Sequence, residues 1–245
     1  MYKRERPGYP MVGEWPLDDE IVALRLFGTD QIYELAPGAG AQTVGSSPTC
    51  DLVLRNHGGT VAARHARLIR RHGRWLIQAV ADAPVLRDLV ALREFPLIPG
   101  IEIKVGDLTL IAESERSRAL HRLLTRVVGF GPEQRGNVDR ALHRVLIAAS
   151  GRRALMLCGE GDLTHVARQI HQRTLADQPF VVCDPRRAPS VGGGHKPRSM
   201  ANPMHALAAA AGGTLCLHAP ARRHPASLPP PRHLEGRAAW EALPP

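Results

Sequence analysis

VGSSPTCDLVLRNHGGTVAARHARLIRRHGRWLIQAV, residues 44–80, decides the fold. Its runs DLVL, HARLIRR and RWLIQAV have strand character, and SSPT, NHGG and RHG between them are turn chemistry of the Gly, Pro, Asn and Ser kind. In HARLIRR, Ala66 and Leu68 fall on one face while Arg67 and Ile69 fall on the other, the period-two pattern of a strand with one wet face. Working outward, IVALRLF, QIYEL and QTVG lead into this stretch, and IEIKV and LTLIAES follow it. Short strands at regular intervals predict an antiparallel β sandwich over residues 21–114, with residues 1–20 as an N-terminal tail.

The same stretch, continued by LIPGIEIKVGDLTLIAES, resembles a forkhead-associated (FHA) domain, whose pattern is Gly-Arg, then Ser-x-x-His, then Asn-Gly near a loop tip. That resemblance implies a phosphothreonine-peptide site on loops at one end of the sandwich. Holding a phosphate dianion demands a guanidinium with hydroxyl or amide donors around it. This chain departs from the pattern at the binding positions. Gly45 matches the first Gly, but Ser46 stands where the Arg is expected, Ala62 replaces the Ser, and Ala83 and Pro84 stand for Asn-Gly. His65, which in the family braces the loop, is retained. The candidate remnant of the site is therefore Gly45, Ser46, Ser47, Arg64 and His65. Ser46 and Ser47 can donate to a phosphate and Arg64 and Arg67 can attract an acidic peptide, yet without the Arg fork such contacts are much weaker.

Beyond Ser114, ERSRALHRLLTRV predicts a helical linker over residues 115–127, with Leu120, Leu123, Leu124 and Val127 at helical spacing. Gly129-Phe130-Gly131-Pro132 breaks it, and PEQRGNVDRALHRVLIAAS supplies a second helix with Val138, Leu142, Val145 and Leu146 on one face. A strand (ALMLC, 154–158), a Gly-containing turn, a helix (LTHVARQIHQRTL) and another strand (PFVVC) follow, a β-α-β pattern.

This order of phrases resembles the start of the AAA+ domain of sigma-54-dependent transcription activators, with CGEGDLTHVARQIH at the P-loop, PFV opening the next strand, and GGTLCLHAPARRHP at the second acidic motif. The resemblance covers about half of a full module, and it implies a partial α/β, P-loop-like domain over residues 128–218. The chemistry of ATP hydrolysis is missing from it. Gly159, Glu160, Gly161 and Thr164 belong to a loop two residues shorter than the family's and without its Lys; Lys3, Lys104 and Lys196 are the only lysines in the chain. A shortened loop cannot form the full ring of amide donors, and Asp162 adds negative charge where phosphates would lie. His218 and Ala219 replace the Asp and Glu that would hold magnesium and polarise water. The loop through which family activators touch sigma-54 is absent between PFVV and GGTL. RRAPSVGGGHKPRS, residues 186–199, and a Pro/Arg-rich tail over residues 219–245 read as loosely held or disordered.

Composition bounds the partners. Net charge is +9, and it is unevenly placed: residues 1–115 carry 13 Lys+Arg against 15 Asp+Glu, and residues 116–245 carry 19 against 8. The basic half admits a nucleic-acid partner. Its Arg residues are scattered among Pro, His and Ala, however, and aromatics are 4% of the chain, so few rings can stack on bases and this reading is not favoured. Cys50, Cys158, Cys183 and Cys216 form no C-x-x-C pair, which argues against zinc and against a disulfide framework. The N-terminus has no apolar signal region and no apolar run long enough to span a bilayer occurs, so the expectation is a cytoplasmic protein without membrane contact. Together these features predict a non-catalytic regulatory protein without a cofactor. It would bind a protein partner, a phosphoprotein or an intact AAA+ activator; the alternative is an ATP-binding sigma-54-dependent regulator with unorthodox motifs.

Overall fold

A computed structural model describes residues 19–55, 58–80, 82–87, 89–151, 153–184, 191 and 198–218. The N-terminal tail before Asp19, most of the 186–199 segment and the tail from Ala219 lie outside the described residues.

Two sheets form a sandwich. Strands β1 (Ile21–Leu26), β2 (Ile32–Glu34), β7 (Val85–Arg87), β8 (Val90–Leu92), β10 (Glu102–Val105) and β11 (Leu108–Ser114) make a six-stranded sheet in the order β2-β1-β11-β10-β7-β8. Strands β3 (Ala41–Gly45), β4 (Leu52–Val53), β5 (Ala66–Arg71), β6 (Arg74–Ala79) and β9 (Glu94–Pro96) make a five-stranded one in the order β4-β3-β5-β6-β9. Inward residues of both sheets, among them Leu24, Val44, Leu68, Trp75, Ile77, Ile103 and Leu110, form one buried core. Each contributes roughly 1.5–3 kcal/mol by leaving water. On β5, Ala66 and Leu68 are buried and Arg67 is exposed, as the alternation requires.

Two features differ from the sequence reading. The sandwich is mixed instead of wholly antiparallel, because β3 and β4 pair in parallel, Val44 with Leu52 and Gly45 with Val53. Ser46 and Ser47 hydrogen-bond to Ala62 and Ala63 instead of closing a hairpin, and β4 then runs in the same direction as β3. Strands β7, β8 and β9 have no counterpart among the sequence-predicted strands. They are three residues each, and Pro84, Arg87, Arg93, Glu94 and Pro96 interrupt any visible alternation.

Helix α1 (Glu115–Val128) leaves β11 without a break, through a capping box in which the Ser117 amide donates to Ser114 Oγ at 3.2 Å and the Ser114 amide to Ser117 Oγ at 2.8 Å. It packs with α2 (Arg135–Ser150) and α3 (Leu163–Thr174) around Leu120, Leu124, Val138, Leu142, Val145, Leu146 and Ile170. This helical core is joined to the sandwich by buried charges. Arg25 on β1 donates from Nε to Glu113 Oε1 at 2.6 Å and places Nη1 2.7 Å from Asp139 Oδ1 on α2, while the Gly28 amide donates to Asp139 Oδ2 at 2.6 Å.

The remaining strands, β12 (Phe180–Cys183), β13 (Arg198–Met200) and β14 (Thr214–Leu217), form a parallel sheet in the order β13-β12-β14. Helix α4 (Pro203–Ala209) covers the face that carries Val181, Cys183, Met200 and Leu215. On the other face His171 of α3 sits 5.2 Å from the Phe180 ring. Burial on both faces is what a parallel sheet needs. Residues 154–158, expected as a strand, are not in this sheet: β12 is flanked on both sides by β13 and β14, and Leu157 instead packs against the helical core. Arg198 and Ser199, expected to be loosely held, belong to β13, where Val181 pairs with Arg198 and Val182 with Ser199.

Candidate functional site

At the loop end of the sandwich the chain crosses itself closely. A Cβ on Gly45 would lie 2.2 Å from the Ala63 carbonyl oxygen, so the segments 45–47 and 61–63 can run side by side only with glycine there. The Ser46 amide donates to Ala62 O and the Ser47 amide to Ala63 O, each at 3.0 Å. Ser46 Oγ donates to Val61 O at 3.0 Å, and Ser47 Oγ and Thr49 Oγ1 share a hydrogen bond of 2.8 Å. The two amides at the first motif thus face the protein and not a ligand.

His65 ties the second loop to a third. Its ring is 2% exposed; Nδ1 accepts the Ala62 amide at 3.1 Å, and Nε2 lies 3.0 Å from the Pro84 carbonyl. A carbonyl only accepts, so Nε2 carries the proton and the ring is the neutral tautomer that bridges the two loops. Arg64 and Arg67 are exposed beside a shallow depression lined also by Gln42, Thr43, Ala66 and Val80. Gly45, Ser46, Ser47 and His65 are therefore brought together by hydrogen bonds, with Arg64 on the outer side of the same loop. Arg64, Arg67, Ser46 and Thr49 are exposed, and Ser47 is half-buried.

The 159–164 loop leads into α3. Gly159, Glu160 and Gly161 are exposed, Gly161 adopts φ +90°, and Asp162 is the N-cap of α3, its Oδ1 accepting the His165 amide at 2.9 Å. Leu163 N–H donates back to Gly161 O at 3.1 Å, and Thr164 is half-buried on the first turn. The donors that would meet an anion at a helix start are already partly taken by a carboxylate. His218 donates its amide to Cys183 O at 3.1 Å and holds Nδ1 3.5 Å from Asp184 Oδ2. Ala219 lies outside the described residues. Among the described residues no group of three His, Cys, Asp or Glu side chains is placed to hold a metal ion, and no helix is long and apolar enough to cross a membrane.

His171, whose spacing from His121 and His143 on separate helices gives no metal-ligand pattern in the sequence, has a structural place in the fold. It is 5% exposed, with Nε2 3.0 Å from Gln178 O and Nδ1 2.9 Å from Thr214 Oγ1, so a neutral ring joins α3 to the start of β14. Burial, with a smaller contribution from the Arg168 charge, holds its pKa below the usual histidine range against the opposing Gln178 hydrogen bond. The GGT phrase has a steric reason too: a Cβ on Gly213 would lie 2.0 Å from Pro179 O, and the Thr214 amide donates to that oxygen at 2.8 Å.

No family model matches the chain, and no curated protein does. Among solved structures, the chain is similar to the FHA domain of the CT664 protein from Chlamydia trachomatis, at 18% identity over 38% of this chain and 95% of that one, with a TM-score of 0.33. It is similar to the N-terminal FHA domain of Rad53p from S. cerevisiae, solved with a phosphothreonine peptide, at 17% identity over 39% of this chain and 94% of that one, with a TM-score of 0.34. Mycobacterium tuberculosis EmbR, in complex with a low-affinity phosphopeptide, matches at 20% identity over 39% of this chain and 24% of that one, with a TM-score of 0.35. The likeness to FHA domains is one of fold and covers about 38% of the chain, its N-terminal part.

Proposed function

We propose that this protein acts by binding other proteins and not by catalysis. The observation that carries the reading is the loop end of the sandwich: hydrogen bonds through Ser46, Ser47 and His65 hold three loops together, while the side chains of Arg64, Arg67, Ser46 and Thr49 are exposed. Such a surface suits an acidic or hydroxyl-bearing peptide. With Ser46 in place of an Arg, phosphate gains no bidentate partner, so phosphorylation of the peptide adds less than about tenfold in affinity.

The 128–218 unit serves, in this reading, as a catalytically inactive relative of the sigma-54-activator AAA+ module and docks on an intact AAA+ activator. Its support is the loss of Lys from the 159–164 loop, the Asp162 cap that occupies the helix start, and His218 at the acidic motif. Calorimetric titration of the full chain with matched phosphothreonine and unphosphorylated peptide pools tests the sandwich. Micromolar binding with little preference is expected. Absence of any peptide binding refutes the loop end as the partner surface, and a preference well above tenfold shows instead a working phosphate site.

A further inference from the structure

A cavity of about 190 Å³ lies where the sandwich meets the helical core, lined by Asp30 of the β1–β2 turn, His121 of α1, Phe130 just after it, and Arg135 and Val138 of α2. A cavity of about 150 Å³ holds a benzene ring, so this one takes a ligand of that size or slightly larger. Its two hydroxyls are already committed: Thr29 Oγ1 donates to Leu26 O and Thr125 Oγ1 to His121 O, each at 2.9 Å. Its charges are not. Arg135 Nη2 pairs with Asp30 Oδ2, and neither side chain makes a further hydrogen bond or ion pair among the described residues. A guanidinium has five N–H donors and a carboxylate two oxygens, so each keeps capacity. His121 holds Nε2 3.4 Å from Oδ1 of Asp139, which is 0% exposed. A carboxylate only accepts, so Nε2 carries the proton of the neutral ring and Nδ1, without a hydrogen bond among the described residues, keeps its lone pair. The apolar part of the lining is Val138, which is buried, and the Phe130 ring, which is 74% exposed.

We propose that this cavity binds a free α-amino acid with a small apolar side chain, such as leucine, and that the bound ligand ties the sandwich to α1 and α2. The ammonium and carboxylate of an α-amino acid are joined through one carbon, so its site must offer an anion and a cation side by side. Asp30 and Arg135, in contact with each other, are that arrangement. The ligand carboxylate accepts from the remaining N–H groups of Arg135, and the ammonium donates to Asp30 and to His121 Nδ1. The side chain then meets Val138 and Phe130. A purely anionic ligand faces the Asp30 carboxylate, and a purely cationic one faces Arg135, so each is opposed by a like charge. An exposed ion pair is weak, and it opens to the ligand at little cost. Asp30 belongs to the sandwich, whereas His121 and Arg135 belong to the helices, and the junction of two units is a preferred place for a small-ligand site. The cavity shares no lining residue with the loop-end surface, so this inference stands apart from the reading of that surface.

Calorimetric titration of the full chain with L-leucine, with 4-methylpentanoate, which lacks the ammonium, and with 3-methylbutylamine, which lacks the carboxylate, tests it. Leucine is expected to bind, and each truncated analogue at least about tenfold more weakly, the worth of one hydrogen bond to a charged group. Asp30→Asn should remove the difference between leucine and 4-methylpentanoate, and Arg135→Gln the difference between leucine and the amine. Both side chains reach solvent, so the variants should fold, with unchanged circular dichroism as the check; the three-ligand comparison on the wild-type chain stands without them. Hydrogen exchange read by mass spectrometry should slow at residues 28–31 and 121–138 when leucine is added. No binding of leucine up to its solubility limit overturns the proposal. So does equal binding of either analogue, which means that one of the two charges is not read. Leucine affinity unchanged in both variants, or protection confined to residues 45–65, places the ligand elsewhere and overturns it as well.

Discussion

Replacing Arg25 with Met should cost this protein about 3–5 kcal/mol of stability, the penalty for removing one partner from a buried ionic cluster. Arg25 is 3% exposed, and the two carboxylates it joins, Glu113 and Asp139, are 1% and 0% exposed. Met fills a similar volume, so packing changes little and the loss is electrostatic. Neither carboxylate is left wholly alone: Glu113 keeps Arg118 Nε at 3.5 Å, and Asp139 keeps the Gly28 amide at 2.6 Å and His121 Nε2 at 3.4 Å. Those contacts place the expectation at the lower end of the range. Urea unfolding followed by circular dichroism reads it as a fall in midpoint at constant slope. A domain with roughly 5–15 kcal/mol in total loses a large share. Acid should act on the same cluster. Burial pushes the Asp139 carboxyl up, but His121, the Gly28 amide and Arg25 together outweigh it and hold the pKa below the ordinary carboxylate value. A group whose folded pKa is depressed stabilises above its unfolded pKa, about 3.9, and the contribution is lost as pH falls through the folded value. Arg25→Met should therefore flatten the wild-type loss of stability below about pH 4. A cost under about 1 kcal/mol with an unchanged acid limb refutes the idea that the cluster is desolvated and couples the sandwich to α2.

Four other outcomes follow from the same geometry. His65→Ala leaves the Ala62 amide and the Pro84 carbonyl without their partner, so thermal unfolding should show a loss of about 2–4 kcal/mol, and hydrogen exchange should speed first at residues 61–64. His171 is held neutral, so the unfolded chain binds a proton more readily; stability is full above about pH 6.5 and falls from there down to the lower folded pKa, a slope that His171→Phe should remove in a denaturation series. Gly213→Ala sets a methyl against the Pro179 carbonyl and should cost about 1–3 kcal/mol in urea unfolding, while Gly38→Ala, with open space around it, serves as the neutral control. ATP with magnesium should leave the melting temperature of the full chain unchanged, and a concentration-dependent rise would restore the nucleotide-binding alternative.

The paired turn residues, the alternation in β5 and the helical spacing of Leu120, Leu124, Val138 and Leu142 were legible in the chain because each reports locally which face is dry. That Ser46, Ala62 and His218 stand at their positions, and that no Lys lies near Gly161, is likewise read directly from the chain. Tertiary structure decided the rest. Nothing local in IVALRLF marks Arg25 as buried against Glu113 and Asp139, and the Gly28 amide that completes the site lies 111 positions before Asp139. The parallel return of β4, the three short strands β7 to β9 and the exclusion of residues 154–158 from the sheet likewise depend on which distant segment lies alongside. Periodicity encodes the side of a strand that is buried, but a hydrogen-bonded neighbour or a buried counter-charge is supplied by another part of the chain, and only the folded packing brings it into reach.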